Sequence, residues 1–113
     1  MDLNDYQESA LETAIYPKLG SNLIYPALGL AGEAGEFCNK LKKVQRDDAN
    51  VLTPERREQL IGELGDIMWY VALCAFELQT DLNEVAERNI AELSARKQKG
   101  NLQGAGDSRG LEK

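Results

Sequence analysis

The sequence predicts an all-α fold, a four-helix bundle-like core, and three observations carry that expectation. Apolar residues recur at three-and-four spacing in four segments. Helix caps and prolines punctuate the segments. Almost no stretch alternates in polarity as a half-buried strand would. Residues 3–16 place Leu3, Tyr6, Ala10, Leu11, Ala14 and Ile15 on one amphipathic stripe, with Asp2 or Asn4 to cap the start and Pro17 to end it. Lys18–Pro26 (KLGSNLIYP) reads as a connector. A second helix is expected over residues 27–46, with Leu30, Ala34, Phe37, Cys38, Leu41 and Val44 on its apolar side.

After the loop DDANVL, Thr53 caps a third helix running from Pro54 to near Gln79. Proline in the first helical position costs nothing, because the N–H it lacks would have no partner there. The core face of this helix is Leu60, Ile61, Leu64, Ile67, Met68, Val71, Ala75 and Leu78. Asp81 and Glu84 have the spacing of a capping box and open a fourth helix, which ends near Lys99 with Gly100 as its stop. The remaining NLQGAGDSRGLEK is too polar and glycine-rich to pack as a helix. The expected division is a single domain over residues 1–99 and a Gly-rich C-terminal tail over 100–113.

Bulk properties narrow the function. A chain of 113 residues holds one core, and a core of that size favours completion by a second copy, as a homo-oligomer that is a dimer or tetramer. With 42 % hydrophobic and 28 % charged residues the composition is that of a soluble domain. No apolar run approaches the roughly 20 residues of a membrane span, and MDLNDYQESA is unlike a signal peptide. Cys38 and Cys74 sit among apolar neighbours and read as reduced core residues, which points to the cytoplasm. The chain has no histidine. That removes Ser-His-Asp and Cys-His catalysis and disfavours structural zinc and carboxylate–histidine di-iron sites. A net charge of −6 repels a nucleic-acid backbone but tolerates a small phosphorylated ligand bridged by cations.

The most informative feature is an internal match. LAGEAGEFCNKL at Leu30–Leu41 is answered by LIGELGDIMWYV at Leu60–Val71, with Leu, Gly, Glu and Gly identical at 30/60, 32/62, 33/63 and 35/65. Glu36 answers to Asp66. Carboxylates three apart project from one side of a helix, so two such helices packed antiparallel would bring Glu33, Glu36, Glu63 and Asp66 to one cavity. Four carboxylates there need cations between them. All-oxygen ligands favour Mg²⁺ or Mn²⁺ over zinc or copper. Gly32, Gly35, Gly62 and Gly65 each cost about 1 kcal/mol relative to alanine inside a helix, which implies either close helix approach or room for a ligand.

On these residues the chain resembles the MazG-like family of all-α nucleoside triphosphate pyrophosphohydrolases, whose E-E-x-x-E motif is followed by E-x-x-D. GEAGE at Gly32–Glu36 and ELGD at Glu63–Asp66 fit that pattern, and DYQ, TAIYP, NIAEL and GAGDSR extend the likeness, chiefly to short phage-borne members. Gly32 replaces the first glutamate of the motif, and Glu92 replaces a lysine common in the fourth helix. The resemblance implies hydrolysis of an NTP to NMP and diphosphate, with Glu33, Glu36, Glu63 and Asp66 holding two or three Mg²⁺ ions and a lean toward guanine. Asn89, a polar amide on the apolar stripe of the fourth helix, suits either a helix-packing hydrogen bond or a contact to nucleotide or metal water, and the resemblance favours the second; it also implies that the cytoplasm is that of a bacterial or phage-infected cell.

Lys40 and Lys43 extend the acidic edge and suit either phosphate binding or a solvated face that complements the helix dipole. Tyr70 flanks the ligand or the core edge, and Trp69 stacks on a base or packs between subunits. Arg96 and Arg109 are candidate phosphate contacts. A metal-activated water would attack, with Glu36 or Glu63 available as general base. The competing expectation is a non-catalytic acidic helical oligomerisation or adaptor module, which turns over nothing with any metal.

Overall fold

The computed structural model describes residues 1–100, which form α1 (Leu3–Glu12), α2 (Ile24–Asp47), α3 (Pro54–Glu77) and α4 (Leu82–Gln98), with no strand among them. The expected Gly-rich tail lies outside the described residues apart from Gly100, whose φ of +73° ends the last helix.

α1 opens on a reciprocal capping box. The Asp2 carboxylate accepts from the Asp5 N–H, and the Asp5 carboxylate accepts from the Asp2 N–H. The helix ends at Glu12, before the residue 16 that the apolar stripe suggests. The N–H groups of Thr13 and Ala14 tighten the last turn onto the carbonyls of Ala10 and Leu11. The chain then swings so that Tyr16 is buried and Ile15 is 94 % exposed. α2 begins at Ile24, earlier than expected, because Asn22 Oδ1 accepts from the Tyr25 N–H and Pro26 fits in the first turn, fully buried. Positive φ at Ala49 and Asn50 reverses the chain. Thr53 Oγ1 then accepts from the Arg56 N–H to start α3, and Arg56 also pairs with Asp48 at 2.9 Å. Asp81 caps α4 through the Glu84 N–H, while the Glu84 carboxylate pairs with Arg88.

α2 and α3 pack antiparallel: Gly29 meets Tyr70, Lys40 meets Glu63 and Asp48 meets Arg56. The main core lies elsewhere, where α1 crosses the C-terminal half of α3 and the start of α4. Ala10, Ala14, Tyr16, Ala72, Leu73, Ala75 and Leu82 are buried there. Polar side chains of α1 finish the neighbouring helix ends: Gln7 donates to the Ala72 and Thr80 carbonyls and accepts from the Leu82 N–H, and Asn4 accepts from the Asn83 N–H.

Toward the other end of the α2–α3 pair the buried apolar side chains among the described residues are Val44 and Leu60. α4 touches α1 and α3 but does not approach α2. One chain therefore leaves much of the expected core face open. Leu41, Ile61, Leu64, Met68, Leu78 and Ile90 are exposed. So is Cys38, which corrects its assignment to the core; both cysteines are free thiols. By length and hydropathy alone α3 also passes for a membrane span, as core helices often do.

Candidate metal centre

Helical spacing places Glu33 on the flank of α2 that faces α3, opposite Glu63 and Asp66. Each of the three offers an oxygen within 4.8 Å of the other two. Glu63 is the one charged residue buried among the described residues. Its Oε1 accepts from the Lys40 ammonium, while Oε2 is buried with no N–H or O–H donor from the ionised surroundings. The Lys40 contact is the main reason the Glu63 carboxyl is held below its ordinary range. Glu33 is pushed the other way, chiefly because a protonated Glu33 can share its hydrogen with Glu63. Burial and the charges of Glu63, Asp66 and Glu36 add to that effect. Glu36 is exposed and stands outside the three-oxygen cluster.

The four glycines that flank the acids have open space around them: a Cβ on Gly32, Gly35, Gly62 or Gly65 would meet nothing within 4 Å. They leave room and do not mediate close helix approach. The close approach is at Gly29, where a Cβ would fall 2.1 Å from the Tyr70 ring. Tyr70 thus lies flat against α2 beside the acids. Burial, then the charges of Tyr25, Glu33 and Asp66, raise its phenol above the ordinary range. Trp69 meets Tyr70 edge-on at 5.0 Å and donates its indole N–H to Thr13 Oγ1, which ties it to the end of α1.

Lys43 lies one turn beyond Lys40, half-buried, and its charge helps hold the Asp47 carboxyl down after the larger effect of Arg46. Asn89 is exposed on α4, and Arg96 pairs with Glu92 along the same helix. α4 does not approach α2, so neither residue lies against the helix that carries Glu33 and Glu36. Arg109 lies outside the described residues.

The sequence reading passed over Glu77. Its carboxylate accepts from the Tyr16 hydroxyl, the Gly20 N–H and the Asn22 N–H, pinning the connector to the end of α3. Burial alone would raise this carboxyl, but the three donors outweigh it and hold it below its usual value. Burial, then the bond to Glu77, drives the Tyr16 phenol upward. Tyr16 in turn stacks on Tyr25, with ring centroids 4.8 Å apart and planes 14° apart. A lone glutamate at a helix end carries no pattern that would have flagged it.

The family model of the MazG nucleotide pyrophosphohydrolase domain matches residues 25–100, a span that includes all four acids of the paired motif. The Gene 37 protein of Mycobacterium phage L5 is 47 % identical over 114 residues, covering 96 % of this chain and 100 % of that protein. No solved structure matches the chain.

Proposed function

The chain belongs to the MazG nucleotide pyrophosphohydrolase domain family, and we propose that it hydrolyses nucleoside or deoxynucleoside triphosphates to the monophosphate and diphosphate, with Mg²⁺ or with Mn²⁺ in its place. The observation that carries this reading is the cluster of Glu33, Glu63 and Asp66, three carboxylates within 4.8 Å of one another. One of them is buried with an oxygen that lacks a donor. Such a cluster favours a divalent cation, and its all-oxygen chemistry suits a hard one.

Glu33, Glu63 and Asp66 would hold the first ion, and Glu36 would extend the set toward two or three. When bound, the ions neutralise the triphosphate and acidify the attacking water. Lys40, released from Glu63 when that carboxylate takes a cation, would bind phosphate oxygens, with Lys43 one turn further along. If Glu36 instead stays free of metal, its exposed carboxylate would be available to take the proton of the water. Tyr70 walls the other side.

The same reading includes a dimer or tetramer, because the exposed Ile61, Leu64, Met68 and Ile90 form apolar surface that a second copy would cover. In such an assembly Asn89 and Arg96 would act on a neighbour's substrate. A nucleoside triphosphate substrate would suit work in the cytoplasm of a bacterial or phage-infected cell, where such nucleotides are made and used.

Diphosphate release measured across the common NTPs and dNTPs, with Mg²⁺, Mn²⁺ or excess chelator, tests the reading. The expected products are monophosphate and diphosphate, metal-dependent and fastest with guanine nucleotides. Full turnover in chelator, or products of diphosphate nucleotide and phosphate, would overturn it. A folded oligomer inert with every metal would favour the adaptor alternative. An active monomer at micromolar concentration would remove the oligomer from the proposal.

A further inference from the structure

The seam between α2 and α3 changes chemistry in one direction. The Lys40 ammonium stands at one end, on Glu63. The cluster of Glu33, Glu63 and Asp66 follows. Next comes the Tyr70 ring, laid on Gly29. Tyr25 closes the series. On α2 the residues Tyr25, Gly29 and Glu33 fall at four-residue steps along one flank, with about 12 Å between the first and last at 1.5 Å per residue. The Tyr70 ring lies against Gly29, the middle step of that series, four residues from Tyr25 on one side and four from Glu33 on the other.

Tyr25 is also built unlike a casually exposed side chain. One face of its ring lies against Tyr16, yet the residue remains 44 % exposed. Tyr16 is itself buried and held by Glu77, so the backing ring is fixed. The Tyr25 backbone N–H is bonded to Asn22 Oδ1, and the Asn22 N–H is bonded to Glu77. A ring immobilised on one side and open on the other binds a second flat ring with little further loss of conformational freedom.

We propose that Tyr25 is the platform on which the nucleobase stacks, the triphosphate running past Tyr70 to the carboxylates with its far end toward Lys40. The proposal rests on the nucleotide-hydrolase reading given above and adds the direction in which the substrate lies. Stacking uses the π-face that every base has, so Tyr25 contributes affinity for all bases and leaves the choice among them to other groups.

Calorimetric titration in Mg²⁺ tests it, using non-hydrolysable α,β-methylene nucleoside triphosphates and, as a ligand without a base, inorganic tripolyphosphate. Tyr25→Leu is expected to weaken nucleotide binding about tenfold and to leave tripolyphosphate affinity unchanged, while Tyr25→Phe binds both as the unaltered chain does. Equal weakening for the two ligands assigns Tyr25 a structural role and overturns the proposal, as does an unweakened nucleotide. Should Tyr25→Leu fail to fold, Tyr25→Trp decides. A larger ring is expected to tighten nucleotides severalfold and not tripolyphosphate, and no selective gain overturns the platform. An unaltered chain that binds neither ligand would defeat the hydrolase reading itself. One that binds tripolyphosphate as tightly as nucleotides would defeat only the platform.

Discussion

Two glutamates on α3, about four helical turns apart, live under opposite rules. Glu77 accepts from a phenol and two backbone N–H groups, and every donor comes from the connector it anchors. Glu63 is the more deeply buried residue, yet its standing partner is one ammonium, and its other oxygen has a donor only when Glu33 carries a proton. Burying an ionised oxygen without a donor costs stability unless something outside the chain satisfies it. A carboxylate that the fold has already satisfied is structural; one that the fold buries and leaves wanting points to a ligand. The surroundings agree. Near Glu77 the helices enclose a core of small residues, while near Glu63 the flanking glycines border open space.

The sharpest break of this comparison exchanges the effects of the two residues. Glu63→Gln is expected to lower turnover by at least about the 100-fold that even outer-sphere changes at a metal site can reach. It should leave Tm unchanged or raise it, because a buried charge becomes a neutral amide. Turnover assays paired with thermal melts check this, and activity retained within tenfold would remove Glu63 from the centre.

Glu77→Leu is expected to do the reverse. Losing the acceptor of three donors frees the connector and strands the buried Tyr16 hydroxyl, so Tm should fall by several degrees or more. The loss should exceed that from any single substitution among Glu33, Glu63 and Asp66. Equal Tm for the Glu77 and Glu63 variants would erase the distinction.

A gentler pair uses glycine. Gly29→Ala forces the Tyr70 ring off α2, since the added carbon would lie 2.1 Å from it. Overpacking of this kind costs about 1–3 kcal/mol. Gly65→Ala meets nothing within 4 Å and should gain up to about 1 kcal/mol of helix stability. Denaturant midpoints of the two variants should therefore move in opposite directions, and movement in the same direction would contradict the packing described.

The smallest effect is the pH dependence, where the signs again oppose. The folded-state carboxyl of Glu77 lies below its ordinary value, so its stabilisation is fully present above the unfolded pKa of about 4.3 and is lost as pH falls through the folded value. That of Glu33 is raised by sharing a hydrogen with Glu63, by burial and by the neighbouring acids. Folding therefore gains stability as pH falls through the folded value toward the unfolded one. In chelator, Glu77→Gln should lower Tm at neutral pH and Glu33→Gln should raise it, with both differences shrinking in acid. Melts of the three chains across that range read this directly.

The parts of the fold legible in the sequence were those set by neighbouring residues. The caps Asp2, Thr53 and Asp81, the proline opening α3 and the stop at Gly100 each depend on a few adjacent positions. The end of α1 was misjudged because Tyr16 answers to Glu77, distant in sequence, and not to the local apolar period. α2 starts early because Asn22 supplies a bond that no cap pattern announces. Periodicity marked Leu41, Ile61, Leu64 and Met68 correctly as one apolar face but could not show that a single chain leaves them uncovered. At the centre, the thirty-residue match located Glu33, Glu63 and Asp66, since duplicated chemistry on paired helices is visible in one dimension. That Asp66 joins the cluster while Glu36, its counterpart on α2, stays outside, and that α4 does not reach α2, depend on how the helices pack, which the match does not encode.

The Lys40–Glu63 pair makes the free chain its own competitor for cations. The ammonium sits on one oxygen of Glu63 and leaves the other without a partner, so a bare ion arriving there would meet a positive charge already in place and gain less than the acids alone would offer. On the reading proposed above, an ion that came with a triphosphate would meet less resistance, because phosphate oxygens would draw the ammonium to themselves. The pair would then bias the centre toward loading as an ion–nucleotide unit instead of stepwise, and would keep the acidic cluster from scavenging whatever divalent ion is most abundant.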